Sequence, residues 1–560
     1  MSAVEWFKKN WMYVALGLIV AGWLAFSYLD HAIAEDAYIS FRYSQNLVHG
    51  EGLVFNPGER AEGYSNLLWV LLVAGGAALG LNVEMVALVL GLVAGAALLI
   101  LIWSILNRLT QRNPYLPLFG AVLVALYFPL SVYARSGLET AAFYLFFFSA
   151  VHSYLRAAPR RFAKGIARFA RFPWTGLWLG LLAITRIEGV AYTLFFVAHY
   201  LWMRRRKTET GAGWRDLIPA LGLPLAQLVF RLFYYGLLLP LPAFVKAGGL
   251  SLHILGGLKF VFNWMWGTPS ILLALLAIYG VIRRWKRPES GLLLLLLAAV
   301  IGFNVYIGGD MMAYYRFLLP AYILLVILAV FGVEELFTAF GPRRLFPVLL
   351  SAFLFFWTTA GFTLTAFWYV RPPRELMDPA TAVWLHENVP PGTWVASGAM
   401  GRLAYFSELP FIDYYGLCSR EVALHGMRST ELRPGHEMGD AEEVFRRAPG
   451  LIVNSSQPGT WDRIEDWIAG RRASTECTWG ELPLAQQLVL SDPRMADYQA
   501  LVVEVTDWIR GVPPQDEPYY LGFYARRGEM VDLMVARGAV PVEPAKPEGF
   551  FDPRKEQSEE

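Results

Sequence analysis

Apolar runs close to the 20 residues needed to cross a bilayer recur from Trp11 to about residue 370. Each such run must satisfy its backbone internally and face lipid or other helices, so the chain is confined to a helical membrane architecture over that length. Composition agrees: 56% of residues are hydrophobic and 17% charged, against about 25% charged in soluble domains. A cytoplasmic globular enzyme and a disordered chain are excluded. So is a disulfide scaffold, because Cys418 and Cys477 are the only cysteines.

Charge divides the chain. Residues 1–370 carry 29 Lys+Arg against 16 Asp+Glu, and residues 371–560 carry 19 against 30. In the acidic part the apolar stretches are short (Trp394–Ala396, Leu451–Val453, Leu501–Val505) and broken by Pro, Gly and charges, the pattern of a water-soluble fold. The expected organisation is an all-α polytopic membrane bundle over 1–370, with a first outer loop at 30–84. A soluble α/β domain follows over 371–544, then a disordered tail over 545–560.

Lys8 and Lys9 precede the first apolar run and, by the positive-inside rule, put the N-terminus in the cytoplasm. The run lacks a small-residue cleavage site and is expected to remain as an anchor. Basic clusters at Arg108/Arg112, Arg156–Arg171, Arg204–Arg215, Arg283–Arg287 and Arg343/Arg344 mark further inside loops. About eleven crossings satisfy this alternation, near 11–29, 85–106, 117–134, 140–156, 174–186, 188–203, 216–235, 268–283, 290–308, 315–333 and 345–366. Leu67–Gly80 is set aside as a short interfacial or re-entrant helix. An odd number of crossings places the C-terminal domain outside, as expected of a bacterial plasma-membrane protein.

Eight basic residues then fall on the outer side: Arg42, Arg60, Arg135, Arg186, Arg231, Lys246, Lys259 and Arg316. Glu35, Asp36, Glu51, Glu59, Glu62, Glu139, Glu188 and Asp310 lie beside them. Singly, each reads as a snorkelling side chain or an ion pair. Gathered at one end of a bundle, they describe a polar cavity suited to an anionic, lipid-linked ligand. In the first outer loop, Tyr38, Phe41 and Leu47/Val48 follow Asp36 at helical spacing, which predicts an amphipathic helix along the membrane surface. Gly50, Gly52, Pro57, Gly58 and Gly63 then force a turn-rich return. A carboxylate at that helix start can serve as a general base on a sugar hydroxyl, or simply favour the positive end of the helix dipole.

The block Glu35-Asp-Ala-Tyr-Ile-Ser-Phe-Arg-Tyr with Gly52-Leu-Val-Phe-Asn-Pro-Gly-Glu-Arg-Ala-Glu-Gly-Tyr resembles the first outer loop of the terminal β-(1→2)-arabinofuranosyltransferases, polytopic glycosyltransferases of the C superfamily. Further matching segments follow in order. They are Arg135-Ser-Gly-Leu-Glu-Thr, Thr185-Arg-Ile-Glu-Gly, Arg231 to Tyr235-Gly with Lys246, Gly308-Gly-Asp with Arg316-Phe-Leu-Leu-Pro, Asp413-Tyr-Tyr-Gly-Leu and Pro434-Gly-His-Glu-Met-Gly-Asp. The resemblance implies transfer of a sugar, arabinofuranose by the loop, from a polyprenyl-phosphate donor to a cell-envelope glycan or glycoprotein on the outer face. The family's loop carries two adjacent aspartates where this chain has Glu35 and Asp36.

On this reading Asp36, with Glu35 beside it, is catalytic. Lys246, Arg316 and Arg135 would neutralise the departing phosphate. Glu62, Glu188 and Asp310 would hold sugar hydroxyls, and Tyr38, Tyr64, Tyr314 and Tyr315 would offer stacking faces. Arg42, Arg186 and Arg231 complete the expected substrate-binding set. The histidines are scattered and no zinc spacing appears. Asp36 and Asp310 could serve as oxygen ligands to a divalent cation, but nothing in the sequence joins them, and no metal is expected. No nucleic-acid partner is expected. The C-terminal domain reads either as an acceptor-recognition module or as a lid, and a Cys418–Cys477 disulfide stays open. The rival function is a transporter or flippase of a lipid-linked or small polar substrate, which would want broken, repeated helices with ionisable groups at mid-membrane.

Overall fold

The computed structural model describes residues 3–29, 33–110, 113–156, 173–206, 213–246, 250–268, 270–310, 312–341, 374–429, 436–454, 458–472, 482–508 and 518–545. The expected crossing at 345–366 lies outside these residues, as does nearly all of the expected tail.

The helical part runs α1 (Ala3–Leu29), α2 (Ala37–Val48), α3 (Leu67–Ala78), α4 (Val83–Leu109), α5 (Leu116–Ala125), α6 (Phe128–Arg135), α7 (Thr140–Arg156), α8 (Trp174–Thr185) and α9 (Glu188–Arg205). It continues with α10 (Leu217–Tyr234), α11 (Leu241–Lys246), α12 (Leu250–Gly267), α13 (Ser270–Arg283), α14 (Pro288–Tyr306) and α15 (Leu319–Phe340). Five helices are long and apolar enough to cross a membrane, and seven crossings result if each of two bent pairs counts as one. The eleven crossings expected are therefore not reproduced as eleven full-length helices among the described residues. Two reasons are visible. The run at 117–134 is split into α5 and α6, bent by 58°, because Pro129 in the first turn of α6 cannot continue the preceding helix. The run at 174–186 makes a helix of only 12 residues, about 18 Å long, and ends where Arg186 turns extended. A helix the sequence did not suggest, α12, occupies part of the stretch expected to lie outside.

Between apolar helices in lipid there is little hydrophobic drive, so close backbone approach has to supply the attraction. The α13–α15 contact shows this: a Cβ on Gly280 would stand 2.5 Å from the Gly332 nitrogen, and one on Gly332 would stand 2.2 Å from the Leu276 carbonyl. Only glycine fits at either position. Helix α15 is buried continuously from Leu319 to Glu334 and forms the axis of the bundle.

The C-terminal region contains a six-stranded sheet in the order β2-β1-β5-β7-β6-β8. Its strands are β1 (Val395–Ser397), β2 (Phe411–Asp413), β5 (Leu451–Val453), β6 (Tyr498–Glu504), β7 (Tyr520–Arg526) and β8 (Val540–Val542), and a small hairpin pairs β3 (Met427–Arg428) with β4 (Met438–Gly439). β1 lies parallel to β2 and β5, and the remaining pairs are antiparallel. The three parallel strands are short and buried throughout, as strands covered on both faces are. Two of the short apolar stretches, Trp394–Ala396 and Leu451–Val453, fall on β1 and β5. A helix over Ala441–Arg446 is capped by the Asp440 side chain. The helix Arg374–Asn388 carries Pro379 inside it.

Helix α2 departs from expectation. It was expected to lie along a surface, yet every residue from Ala37 to Ser44 is buried. The reason is α17 (Arg402–Ser407), numbered after α16 (Arg374–Asn388), which caps the outward face of α2. Tyr38 packs against Tyr405 and Phe406 with ring centroids 5.2 Å apart. The apolar positions in α2 thus serve two partners, the bundle and the C-terminal region.

Candidate active site

The site is assembled at the end of the bundle that meets the C-terminal region. Asp36 stands at the N-cap of α2 without bonding the helix, is solvent-exposed, and makes no hydrogen bond or ion pair among the described residues. Its neighbour Glu35 points elsewhere and accepts a hydrogen bond from the Gly401 amide at 2.7 Å. A Cβ on Gly401 would lie 2.1 Å from the Glu35 carbonyl, so a glycine is needed for the two segments to touch. Adjacent in sequence, the two carboxylates have different employment: Glu35 ties the loop to the C-terminal region, and Asp36 is left open.

Three arginines expected in the site are paired. Arg186 binds both Glu139 and Glu188, and Glu139 also accepts from Asn66 Nδ2 at 2.7 Å. Arg316 forks onto Asp310 with contacts of 2.9 and 3.3 Å. Arg231 forks onto Glu62 at 2.6 and 3.0 Å. The Arg186 and Arg316 guanidiniums share the ring of Phe317, at 5.0 and 4.5 Å from its centroid, a desolvated arrangement in which each cation–π contact is worth about 0.5–2 kcal/mol. Arg135 is buried, 5.7 Å from the ring of Phe128. The segment leading to Arg316 holds two non-glycine residues in left-handed backbone, Tyr314 (φ 64°) and Tyr315 (φ 54°). Such strain costs about 1–3 kcal/mol per residue and concentrates at functional sites.

Lys246 differs from the arginines. It ends α11, is exposed, and has no ion pair or hydrogen bond among the described residues. Even so, burial is the largest influence on its ammonium and pushes its pKa down; Arg316 and Arg186 push the same way, while Asp310 and Asp36 oppose them. Lys246 thus stands within electrostatic reach of Asp36, Asp310, Arg186 and Arg316. No third acid, histidine or cysteine converges on Asp36 and Asp310 as a metal-binding group among the described residues.

The segments that carry Lys246 and Asp36 are positioned by long-range contacts that the sequence did not disclose. The Leu241 amide donates to the Glu62 carbonyl at 3.0 Å, so the Glu62–Arg231 pair anchors the start of α11. Burial pushes the Glu62 carboxyl up, with Arg231 opposing it. The end of α11 is gripped by Arg428, which donates to the Phe244 and Val245 carbonyls at 2.8 and 2.9 Å. Arg428 is in turn held by Glu437 at 3.0 Å, and Glu437 by His253 at 3.2 Å. On the Asp36 side, Arg402 bonds the Ile33 carbonyl and stacks over Tyr38.

Arg42 is employed differently. It donates to the carbonyls of Phe55 (2.8 Å), Ala404 and Leu409 (2.7 Å) and to Asn56 Oδ1 (3.4 Å), and its guanidinium covers the ring of Phe55. These four bonds join the first loop to the C-terminal region. Tyr38 donates to Glu84 at 3.0 Å, and Tyr64 accepts from Tyr235 at 3.1 Å. Cys418 is a free, buried thiol, and Cys477, the other end of the open disulfide, lies outside the described residues. Motif residue Asp413 receives the amides of Tyr415 and Cys418 at 2.8 and 2.7 Å. Burial pushes its pKa up to about 6 despite these donors.

A family model described as a domain of unknown function (DUF8728) matches residues 369–517. The terminal beta-(1->2)-arabinofuranosyltransferase of Mycobacterium tuberculosis is 30% identical over 256 residues, 42% of this chain and 38% of that protein. The enzyme of the same name from Corynebacterium glutamicum is 27% identical over 391 residues, 62% of this chain and 55% of that protein. The family resemblance read from the sequence holds. The matches span 38% and 55% of these relatives' lengths.

Among solved structures, ArnT from Cupriavidus metallidurans, bound to undecaprenyl phosphate, aligns with a TM-score of 0.52 at 11% identity, over 80% of this chain and 93% of that one. The archaeal oligosaccharyltransferase AglB from Archaeoglobus fulgidus, in complex with an inhibitory peptide and a dolichol-phosphate, aligns at 0.56 and 12% identity, over 92% of this chain and 76% of that one. The fold is like that of these two proteins, and several of its helices are long and apolar enough to cross a membrane.

Proposed function

We propose that this protein is a membrane glycosyltransferase that moves arabinofuranose from a polyprenyl-phosphate donor to a hydroxyl of a cell-envelope glycan or glycoprotein. The reaction takes place at the outer face of a bacterial plasma membrane, with the N-terminus in the cytoplasm and the C-terminal region outside. The observation that carries the reading is the pair of unspent groups, carboxylate Asp36 and ammonium Lys246, within electrostatic reach of each other among paired charges; the hollow they would share is where donor and acceptor meet. In the reaction the acceptor oxygen bonds to the anomeric carbon as the bond from that carbon to the phosphate oxygen breaks. The acceptor proton passes to Asp36, and polyprenyl phosphate leaves as an anion. Lys246, with Arg316 behind it, meets the charge that develops on that phosphate. Water-poor surroundings make such pre-placed cations far more effective than they are in solution.

Glu188, Glu62 and Asp310 are held by arginines, so their free oxygen lone pairs are what they can offer to sugar hydroxyls. Relatives named as arabinofuranosyltransferases and fold neighbours solved with lipid phosphates support the reading. Transport is disfavoured because the ionisable groups of the site lie at helix ends rather than at mid-membrane. The test is purified Asp36→Asn protein assayed with a polyprenyl-phosphate arabinofuranose and a glycan acceptor. Transfer should fall at least a hundredfold with the folded yield retained. Undiminished transfer would remove Asp36 from the chemistry.

A further inference from the structure

A second depression lies along α2 from Asp36. It is an open cleft of about 230 Å³ lined by Gln45, His49, Asn82 and Tyr405, with Val48 and Leu81 at its sides. Helix α2 has 12 residues, so the cleft lies roughly 18 Å from Asp36 along the helix. That is several sugar units away and on the same face of the molecule as Tyr405, which packs on Tyr38.

The lining chemistry contrasts with the hollow. The cleft has no lysine, arginine or acid, so nothing in it would recognise a phosphate. Its groups are an amide pair, an imidazole and a phenol, which exchange hydrogen bonds with neutral hydroxyls. Gln45 donates to the Tyr405 hydroxyl at 2.7 Å, which leaves its carbonyl facing outward bonds. Asn82 spends its oxygen capping Met85 at 3.0 Å, which leaves its NH₂ as a donor. His49 is exposed. The volume is below the roughly 300–1,000 Å³ of drug-sized sites and suits a single sugar ring.

We infer that this cleft is a distal subsite for the acceptor glycan, holding a neutral sugar unit several residues back from the hydroxyl that is glycosylated. The inference rests on the transfer reading above. It divides the substrates by charge: the anionic donor goes to Lys246, and the neutral acceptor lies along α2 towards Gln45, His49, Asn82 and Tyr405.

The test uses the full-length protein in nanodiscs with octyl glycosides of one to four arabinofuranose units. In the wild type, kcat/KM should rise with acceptor length. In the double variant Gln45→Ala/His49→Ala the advantage of four units over one should shrink about tenfold, the size of one or two lost hydrogen bonds. Tyr405→Phe should shrink it less. An advantage for the long acceptor that is equal in wild type and double variant would overturn the subsite. A binding arm keeps this question apart from that of transfer: saturation-transfer NMR of the four-unit glycoside on Asp36→Asn protein without donor. Signal that disappears when Gln45→Ala/His49→Ala is added supports the subsite even if no transfer is ever seen. Absent or unaltered signal contradicts it.

Discussion

Both ends of the bundle bury ionised side chains, and they differ in whether the charges are spent. Helix α15 has 22 residues, roughly 33 Å, and joins the two. At its far end Arg284 is enclosed by Glu334 and, at 3.0 Å, Glu335, and lies 4.8 Å from the ring of Phe331. That network is closed. At the near end Arg186 and Arg316 are matched by acids, but Lys246 and Asp36 are not. A closed network locates helices; an open one leaves a cation and a carboxylate available to something that is not part of the chain. Arg42 shows the same distinction within the first loop, since a buried arginine donating to four oxygens of the loop and the C-terminal region is a fastener.

The contrast between the two ends has measurable consequences. The largest effect expected is on turnover: Asp36→Asn should lower kcat by about 10²–10⁴, the range of a lost general base, while Glu35→Gln should act mainly on stability because Glu35 holds Gly401. At the closed end, Glu334→Gln should destabilise the protein by about 3–5 kcal/mol, because it leaves Arg284 incompletely paired in the interior. The surviving folded fraction should keep its activity per molecule. Thermal unfolding in detergent, paired with active-site-normalised rates, distinguishes the two ends. Equal loss of turnover at both ends would erase the contrast.

Lys246→Gln should raise the donor KM by about tenfold with a smaller change in acceptor KM. Its pH dependence follows from the lowered ammonium pKa: Lys246 loses its charge at a lower pH than an ordinary lysine. The donor KM should therefore climb early on the alkaline side, and Lys246→Arg should move that limb to higher pH. Arg428→Gln should cost several-fold in the donor kcat/KM by releasing the end of α11, with partial rescue by Arg428→Lys, and no such effect is expected from the exposed pair His425–Glu421.

The smallest effect concerns Asp413. Its raised pKa means that between about pH 4 and pH 6 the folded chain holds a proton that the unfolded chain has lost. Its contribution to stability is therefore greatest at low pH and is lost as pH rises through 6. Asp413→Asn should flatten the melting-temperature profile across that window.

Much of the fold was legible because membrane segments and short buried strands have strong local signatures. The apolar runs, the helix after Asp36, and strands β1 and β5 are all written in periods of a few residues. What escaped was long-range. Nothing local in Tyr405 or Phe406 says that they cover α2, so a helix buried on two sides read as a surface helix. Arg231 finds Glu62 across 169 positions and Arg428 finds Val245 across 183, distances over which composition carries no pairing information. Arg316 and Asp310 were legible as neighbours because only six positions separate them. Arg42 resembled the other outer cations in the sequence. Only its ring of carbonyls sets it apart.

The most direct measurement is a cryo-electron microscopy map of the wild-type protein with bound polyprenyl phosphate. The phosphate should lie in the hollow at ion-pair distance from Lys246, with Asp36 across from it and Arg284 untouched. A phosphate seated away from Lys246, or a lipid that leaves the hollow empty, would contradict the proposed site.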